Sequence, residues 1–364
     1  MVASRYASLR LRLRFRLLVG ACVLCAATLA IARDEPKKDD KEKEKPVVVI
    51  VPTQAPGNVF GDEVSEFKFR VETQRAVKGR IAWRVSAGTV TVKAGEFDFN
   101  ANANAPTAVS FKVAVPPLKD GVILQTQLTA SVIEEKQPKP LATFEQDLWV
   151  FPKDPFADRT EWLKKLKLTL YDTKGDTAKI LTAAKVPFEE ARDVDAVAAV
   201  KEGVVIVGEG ISFKDEKGLA ATLHKLVTDG LVVLILAPAG GEVLIPGVGG
   251  PVAGWDDVSF RREIVRKLDK RLDPDGWLPD GKAVASSVIV KMGEDTVGGE
   301  VSPGAAGWPW VEARSATGKG RWAFCGLGVI AKWEAGPTPR FLFVRMLEYL
   351  TDSETEQPKK ENDR

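Results

Sequence analysis

The chain has 364 residues, 45% hydrophobic and 28% charged, with 52 Lys and Arg, 50 Asp and Glu, one His and three Cys. This is ordinary globular composition, and the length suggests two domains with room for a sizeable core. One histidine, with the one cysteine that lies outside the N-terminal apolar segment, cannot supply the usual nitrogen and sulfur ligands of a zinc site, so no metal is expected; no cofactor is expected either.

Residues 1–32 read as a secretory signal peptide. Arg5, Arg10, Arg12, Arg14 and Arg16 form a basic flank, Leu17 to Ala32 is a short apolar run, and Ala30-Ile31-Ala32 is an A-x-A site that predicts cleavage after Ala32. The expected location is therefore the periplasm or the extracellular space, the alternative being an uncleaved N-terminal membrane anchor. Losing five of the 52 basic residues leaves 47 against 50 acidic ones, a net charge near −3. Cys22 and Cys25 leave with the signal, so Cys325 can form no intrachain disulfide. On that balance no unopposed basic patch is expected, and nucleic acid is not an expected partner.

Residues 33–46 (RDEPKKDDKEKEKP) mix both charge signs without an apolar side chain and read as a solvated, disordered tether. From residue 47 to 152 the pattern is short and alternating. Strands are predicted at Val47–Val51, Glu66–Glu72, Arg80–Val85, Val90–Phe99, Ala108–Val115, Ile123–Ile133 and Ala142–Phe151. Seven strands in about a hundred residues predict an immunoglobulin- or fibronectin-like all-β sandwich. Phe67, Phe69 and Val71 share one face, and Trp83 is expected in the core.

The prolines of Pro152–Pro155 mark a boundary across which few contacts are expected, so a fragment from Val47 to Pro152 should fold alone. A second domain follows over 158–351. A helix is predicted at Thr160–Leu166, a strand at Lys167–Tyr171, a helix at Thr177–Ala184 and a strand at Phe188–Ala191. The continuous apolar runs Val204–Val207 and Leu231–Leu236 then enclose a helix carrying Leu219, Leu223, Leu226 and Val227. Ser212 or Asp215 is available to cap that helix and Gly230 to end it. This βαβ unit predicts an α/β doubly wound, mostly parallel, flavodoxin-like sheet. After Pro238 a Gly- and Pro-rich stretch holds a short extended piece at Glu242–Ile245. Val258–Leu272 reads as strand then helix, with later strands at Ser286–Lys291, Val311–Ala313 and Arg321–Leu327. Thr338-Pro339 caps a last helix, Arg340–Leu350, and residues 352–364 form a charged, disordered tail.

The strand end Val205-Ile206-Val207-Gly208-Glu209-Gly210, the helix closing on Thr228-Asp229-Gly230, the strand Val232–Leu236 and the stretch from Gly320-Arg321-Trp322 through Trp333 and Pro337 to Leu350 carry a resemblance. Through them the second domain resembles the class I glutamine amidotransferase-like domains. The resemblance covers roughly residues 166–350 and implies the flavodoxin-like fold. Active members carry a Cys nucleophile on the turn after a core strand and a later His. Here the turn is Ala237-Pro238-Ala239-Gly240-Gly241, and no His follows, so the family's chemistry is not implied. The sandwich is similar to accessory domains of glycoside hydrolases.

Other chemistry is sparse. His224 lies in mid-helix rather than at a strand end, where open α/β sheets gather their catalytic groups. Cys325, in an apolar run with no His or Lys beside it, reads as a buried hydrophobe. The loop Tyr171 to Thr177 stands where flavodoxins hold the FMN phosphate. Gly175 and Thr177 match that pattern, whereas Asp172 and Lys174 replace hydroxyl residues and Asp172 and Asp176 would repel phosphate. Asp172, Glu209 and Glu242 fall at successive strand ends near the ligand-binding switch point, and a pair of them at the right separation could hydrolyse a glycoside. Trp255, Trp308 and Trp310, in Gly- and Pro-rich loops, suit sugar or partner binding or else cover the sheet. The sequence thus points to a secreted, non-catalytic binding or scaffolding protein of the cell envelope, with carbohydrate or an envelope protein as its partner. Candidate ligand-binding residues are Asp172, Lys174, Glu209, Glu242 and Trp255. The alternatives are a carboxylate-dependent glycoside hydrolase and a flavin-binding protein.

Overall fold

The structure, a computed structural model, describes residues 48–245, 255–277, 288–292, 297–301, 307–315 and 319–352. The residues read above as signal segment and tether, and those of the charged tail beyond 352, lie outside them.

Eight strands form the first part: β1 (Val48–Gln54), β2 (Asn58–Phe60), β3 (Val64–Thr73), β4 (Val77–Ala87), β5 (Val90–Ala101), β6 (Thr107–Ala114), β7 (Leu124–Glu134) and β8 (Ala142–Phe151). They make a three-stranded sheet, β1-β3-β6, and a five-stranded sheet, β2-β8-β7-β4-β5. Every pair is antiparallel except β2 with β8. Alternation puts Phe67, Phe69 and Val71 inside, where their sheet closes on the other to form one two-sheet core. Trp83 is buried there and stacks on Phe111 at 5.1 Å, and Gly95 leaves the space its indole fills, since a Cβ there would lie 2.7 Å from the ring. All seven expected strands are present. β2, only three residues long, carries too little pattern to be read from the sequence.

The second part opens with α1 (Thr160–Leu166) and continues through β9 (Leu168–Tyr171), α2 (Asp176–Ala183), β10 (Glu189–Ala191), α3 (Val194–Ala198), β11 (Val204–Val207), α4 (Leu219–Thr228) and β12 (Val232–Leu236). Then come β13 (Glu242–Ile245), β14 (Trp255–Arg261), α5 (Ile264–Leu268), β15 (Val288–Met292), β16 (Val297–Val301), β17 (Trp310–Ser315), β18 (Arg321–Cys325) and α6 (Pro337–Thr351). The main sheet has the order β10-β9-β11-β12-β18-β17-β14. Its first five strands are mutually parallel, and β17 and β14 are added antiparallel. In chain order the parallel strands therefore lie 2-1-3-4-5. A separate small sheet joins β13, β15 and β16.

Continuous apolar sequence is explained by two-sided burial. Leu170, Ile206, Leu234 and Ala323 enter a cluster with α1, α2, α5 and α6, while Val205, Val207, Val233 and Phe324 enter another with α3 and α4. Helix ends differ from expectation in two places. Gly218, at φ 84°, stands at the N-cap of α4 instead of Ser212 or Asp215, and the Ser212 hydroxyl accepts the Asp215 N–H in a turn ahead of the helix. α6 starts at Pro337, and the Thr338 hydroxyl, expected to cap, is used elsewhere.

Thr338 Oγ1 accepts Asn58 Nδ2 of β2 at 2.8 Å and the Asp273 N–H at 3.0 Å, and Asp273 Oδ2 accepts the Gly57 N–H at 2.8 Å. Beside these bonds Phe151 lies 4.6 Å from Phe341 of α6, and Phe60 and Phe151 belong to the first apolar cluster of the main sheet. Residues from Pro46 onward accordingly form one compact unit. More crosses the Pro152–Pro155 boundary than its prolines suggest, because the end of β8 and the adjacent β2 turn their aromatic side chains out of the sandwich core.

Candidate functional site

The carboxyl ends of β9, β11 and β12 meet at one edge of the main sheet, with Val207 in register with Tyr171 on one side and Ile235 on the other. Asp172 follows β9 and is buried. Its carboxylate accepts the backbone N–H of Lys174 at 3.2 Å and of Ala178 at 2.9 Å, tying the loop to the first turn of α2. Gly208 makes room for it, since a Cβ at Gly208 would stand 2.8 Å from the Asp172 Cγ. Glu209 is 8% exposed. Its N–H donates to Thr177 Oγ1 at 2.9 Å, and its carboxylate accepts the N–H of Ile330 at 2.7 Å and of Ala331 at 3.2 Å, beyond the end of β18. Burial pushes the Glu209 carboxyl up to about 7, against the lowering effect of those two N–H donors and with help from the Asp176 charge.

The sequence leaves open whether the strand-end acids converge, and among the candidates whose side chains are described they do not all do so. Asp172 and Glu209 are neighbours across Gly208, but both are engaged by backbone amides. Lys174 is exposed, its ammonium over Gly210, where a Cβ would meet Nζ at 3.0 Å. Glu242 is exposed and opens β13, so it belongs to the small sheet rather than to a carboxyl end of the main one. Trp255 lies in β14, its side chain outside the described residues.

The turn after β12 holds Ala237 at φ 28°, a left-handed value unusual for alanine. Its N–H donates to the Cys325 carbonyl and its carbonyl accepts the Gly210 N–H, so three strand ends are tied by main chain around a methyl group. Cys325 is fully buried, its thiol pushed up to about 12 by burial, with the Glu209 charge acting in the same direction. It is a core residue rather than a nucleophile. His224 stands edge-on to Trp322 at 6.5 Å, on a helix and not at the strand ends, and burial lowers its pKa. Trp310 is fully buried in β17, so it covers the sheet. Among the described residues no group of three or more His, Cys, Asp or Glu could hold a metal ion, and no helix is long and apolar enough to cross a membrane.

A groove of about 910 Å³ opens instead at the junction of the two parts. Gly57, Asp147 and Trp149 line it from the sandwich, and Trp308 with Glu263, Leu272, Asp273 and a set of cations line it from the second part. Six cations border it: Arg261, Arg262, Arg266, Lys267, Lys270 and Arg271. The sequence reading expects no unopposed basic patch; the cations do cluster here, with Asp147, Glu263 and Asp273 in the same lining. The signal was present in the run 261–271, RREIVRKLDKR, where six of 11 residues are basic; averaging charge over the whole chain concealed it.

No protein-family model matches the chain, and no curated protein matches it. Among solved structures it is similar to the CARDB domain of a Pyrococcus furiosus protein, at 18% identity over 29% of this chain and 86% of that one, with a TM-score of 0.19. A Niemann-Pick type C2 protein from the Japanese carpenter ant gives 9% identity over 29% and 93%, with a TM-score of 0.21. The sporulation control protein Spo0M of Bacillus subtilis gives 10% identity over 32% and 54%, with a TM-score of 0.24. Likenesses at these scores decide neither fold family nor function.

Proposed function

We propose that the chain is an exported, non-catalytic binding or scaffolding protein of the cell envelope, with carbohydrate or an envelope protein as its partner. The observation that carries this reading is the use of both strand-end carboxylates as main-chain acceptors, Asp172 for α2 and Glu209 for Ile330 and Ala331. A group held this way is not aimed at a substrate. The 2-1-3-4-5 order of the parallel strands supports placing residues 158–351 with flavodoxin-like, glutamine amidotransferase-like domains, and Ala237 at the turn after β12 supports loss of the family's nucleophile. The two packed sheets support an immunoglobulin-like sandwich over 47–152. Export rests on the character of residues 1–32, and N-terminal sequencing of exported protein should begin at Arg33.

The burial of Glu209 at a strand end favours a second reading, a carboxylate-dependent glycoside hydrolase, since it pushes the carboxyl up to about 7, where a general acid is useful. A screen of the purified chain on chromogenic glycosides and esters separates the two. The binding reading expects no turnover and no yellow flavin colour. Turnover abolished by Glu209→Gln defeats it.

A further inference from the structure

The groove at the junction is a built site whose charges are only partly compensated. Arg261 is paired with Glu312 at 3.0 Å and Arg271 with Asp269 at 2.6 Å. The Arg262 guanidinium lies 4.4 Å over the Trp308 ring and donates to the Gly307 carbonyl. Arg266, Lys267 and Lys270 are exposed and have no ion-pair partner among the described residues. Burial and the neighbouring Arg261 and Arg314 charges lower the Lys267 pKa, against the raising effect of Glu312. A surface this positive attracts an anion from solution.

The remaining lining narrows the class. Trp149 and Trp308 are half-buried in the lining, one from each part, and bring aromatic rings beside the cations, Trp308 with Arg262 already over its ring. Asp147 and Glu263 are exposed in the same groove. A phosphate chain such as oligothymidylate and an acidic peptide such as polyglutamate bring no row of hydroxyl donors to these carboxylates. Sugar hydroxyls can donate to them, while carboxylates spaced along the same polymer reach the lysines and Arg266. An aromatic ring, a cation and a hydroxyl acceptor in one cleft fit an acidic sugar chain better than any other common polyanion.

We infer that this groove binds an anionic polysaccharide bearing carboxylates, held by Arg266, Lys267 and Lys270 with Trp149 and Trp308 in the lining. The assignment rests on the binding reading above and names its ligand class. Affinity electrophoresis of the full chain tests it, with polygalacturonate, neutral galactan, oligothymidylate and polyglutamate as probes. Polygalacturonate is expected to retard the protein and galactan not to. Replacing the three exposed cations together (Arg266→Ser, Lys267→Ser, Lys270→Ser) is expected to weaken retardation about ten-fold and to flatten its salt dependence. Trp149→Ala should weaken binding at every salt concentration. Circular dichroism checks the fold of the triple variant, and Lys270→Gln alone serves if the triple variant misfolds.

The assignment is overturned by absence of polygalacturonate binding, by equal binding in the variants, or by tighter binding of oligothymidylate or polyglutamate. Retardation by galactan alone removes the groove assignment but leaves the binding reading standing. Binding followed by cleavage of the polymer does the reverse, removing the non-catalytic reading and keeping the groove.

Discussion

Glu209→Gln is expected to change how stability depends on pH. The wild-type carboxyl is almost fully buried and titrates near 7 in the folded chain, against an ordinary value of 4.5. Between those values the folded state holds a proton that the unfolded state has lost. The contribution is therefore fully present below the unfolded pKa and disappears as pH rises through the folded one. The full shift is worth about 3 kcal/mol, of which about 2 kcal/mol falls between about pH 5.5 and about pH 8. For a folded unit of this size that is about 4 °C in melting temperature. His224, whose pKa burial lowers, acts with the opposite sign, gaining stability as pH rises, so the wild-type curve alone mixes the two. The difference between wild type and Glu209→Gln isolates Glu209, because glutamine cannot titrate. At low pH the wild-type residue is the neutral acid, which like glutamine has one carbonyl oxygen for the two N–H donors, so wild type should lose about 2 kcal/mol relative to the variant as pH rises from about 5.5 to about 8. Thermal melts of both proteins across this range are the assay. Parallel curves refute the reasoning, since they mean that the carboxyl keeps an ordinary pKa.

Phe341→Ala removes the ring that meets Phe151 across the junction and should cost about 3–5 kcal/mol, read from urea melts followed by tryptophan fluorescence. The fragment 47–152 should fold, since its core cluster is its own, but with a lower melting temperature than the full chain and with increased dye binding at the uncovered Phe60 and Phe151. Gly208→Ala pushes a methyl against the Asp172 carboxylate and should cost about 1–3 kcal/mol; in a double-mutant cycle that cost should shrink in an Asp172→Ala background. Burial works to raise the pKa of Asp269, but its hydrogen bonds from Arg271 and the Arg345 charge prevail and hold it below the ordinary value. Its contribution is therefore present above the ordinary carboxylate range and lost as pH falls through the folded value, so Asp269→Asn should flatten the acid limb of the stability curve.

Much of the fold was legible because two-fold and 3.6-fold periodicities survive in the sequence. The alternation around Phe67, Phe69 and Val71 marked the sandwich, and the unbroken runs Val204–Val207 and Val232–Leu236 marked parallel strands covered on both faces. Short elements were not legible: β2 and α3 hold three and five residues, too few for a period to show. The α3 start could still have been read from Asp193, whose carboxylate caps the helix through the Ala196 N–H. The strand-end acids were visible by position, but their role was not, because the Glu209 partners lie more than a hundred residues further on, in a loop with no motif. The groove was half legible. Its basic run is continuous in sequence, whereas Gly57, Asp147 and Trp149 reach it only because β2 and β8 pack against the segment that ends at Asp273.

The most direct test is to incubate the full chain with polygalacturonate and measure the polymer's length distribution before and after, under conditions where the protein retains it. A polymer bound and unchanged in length is the predicted result. Shortening by the wild-type chain that stops in Glu209→Gln contradicts the account, since it shows that the carboxylate held by Ile330 and Ala331 is a catalytic acid.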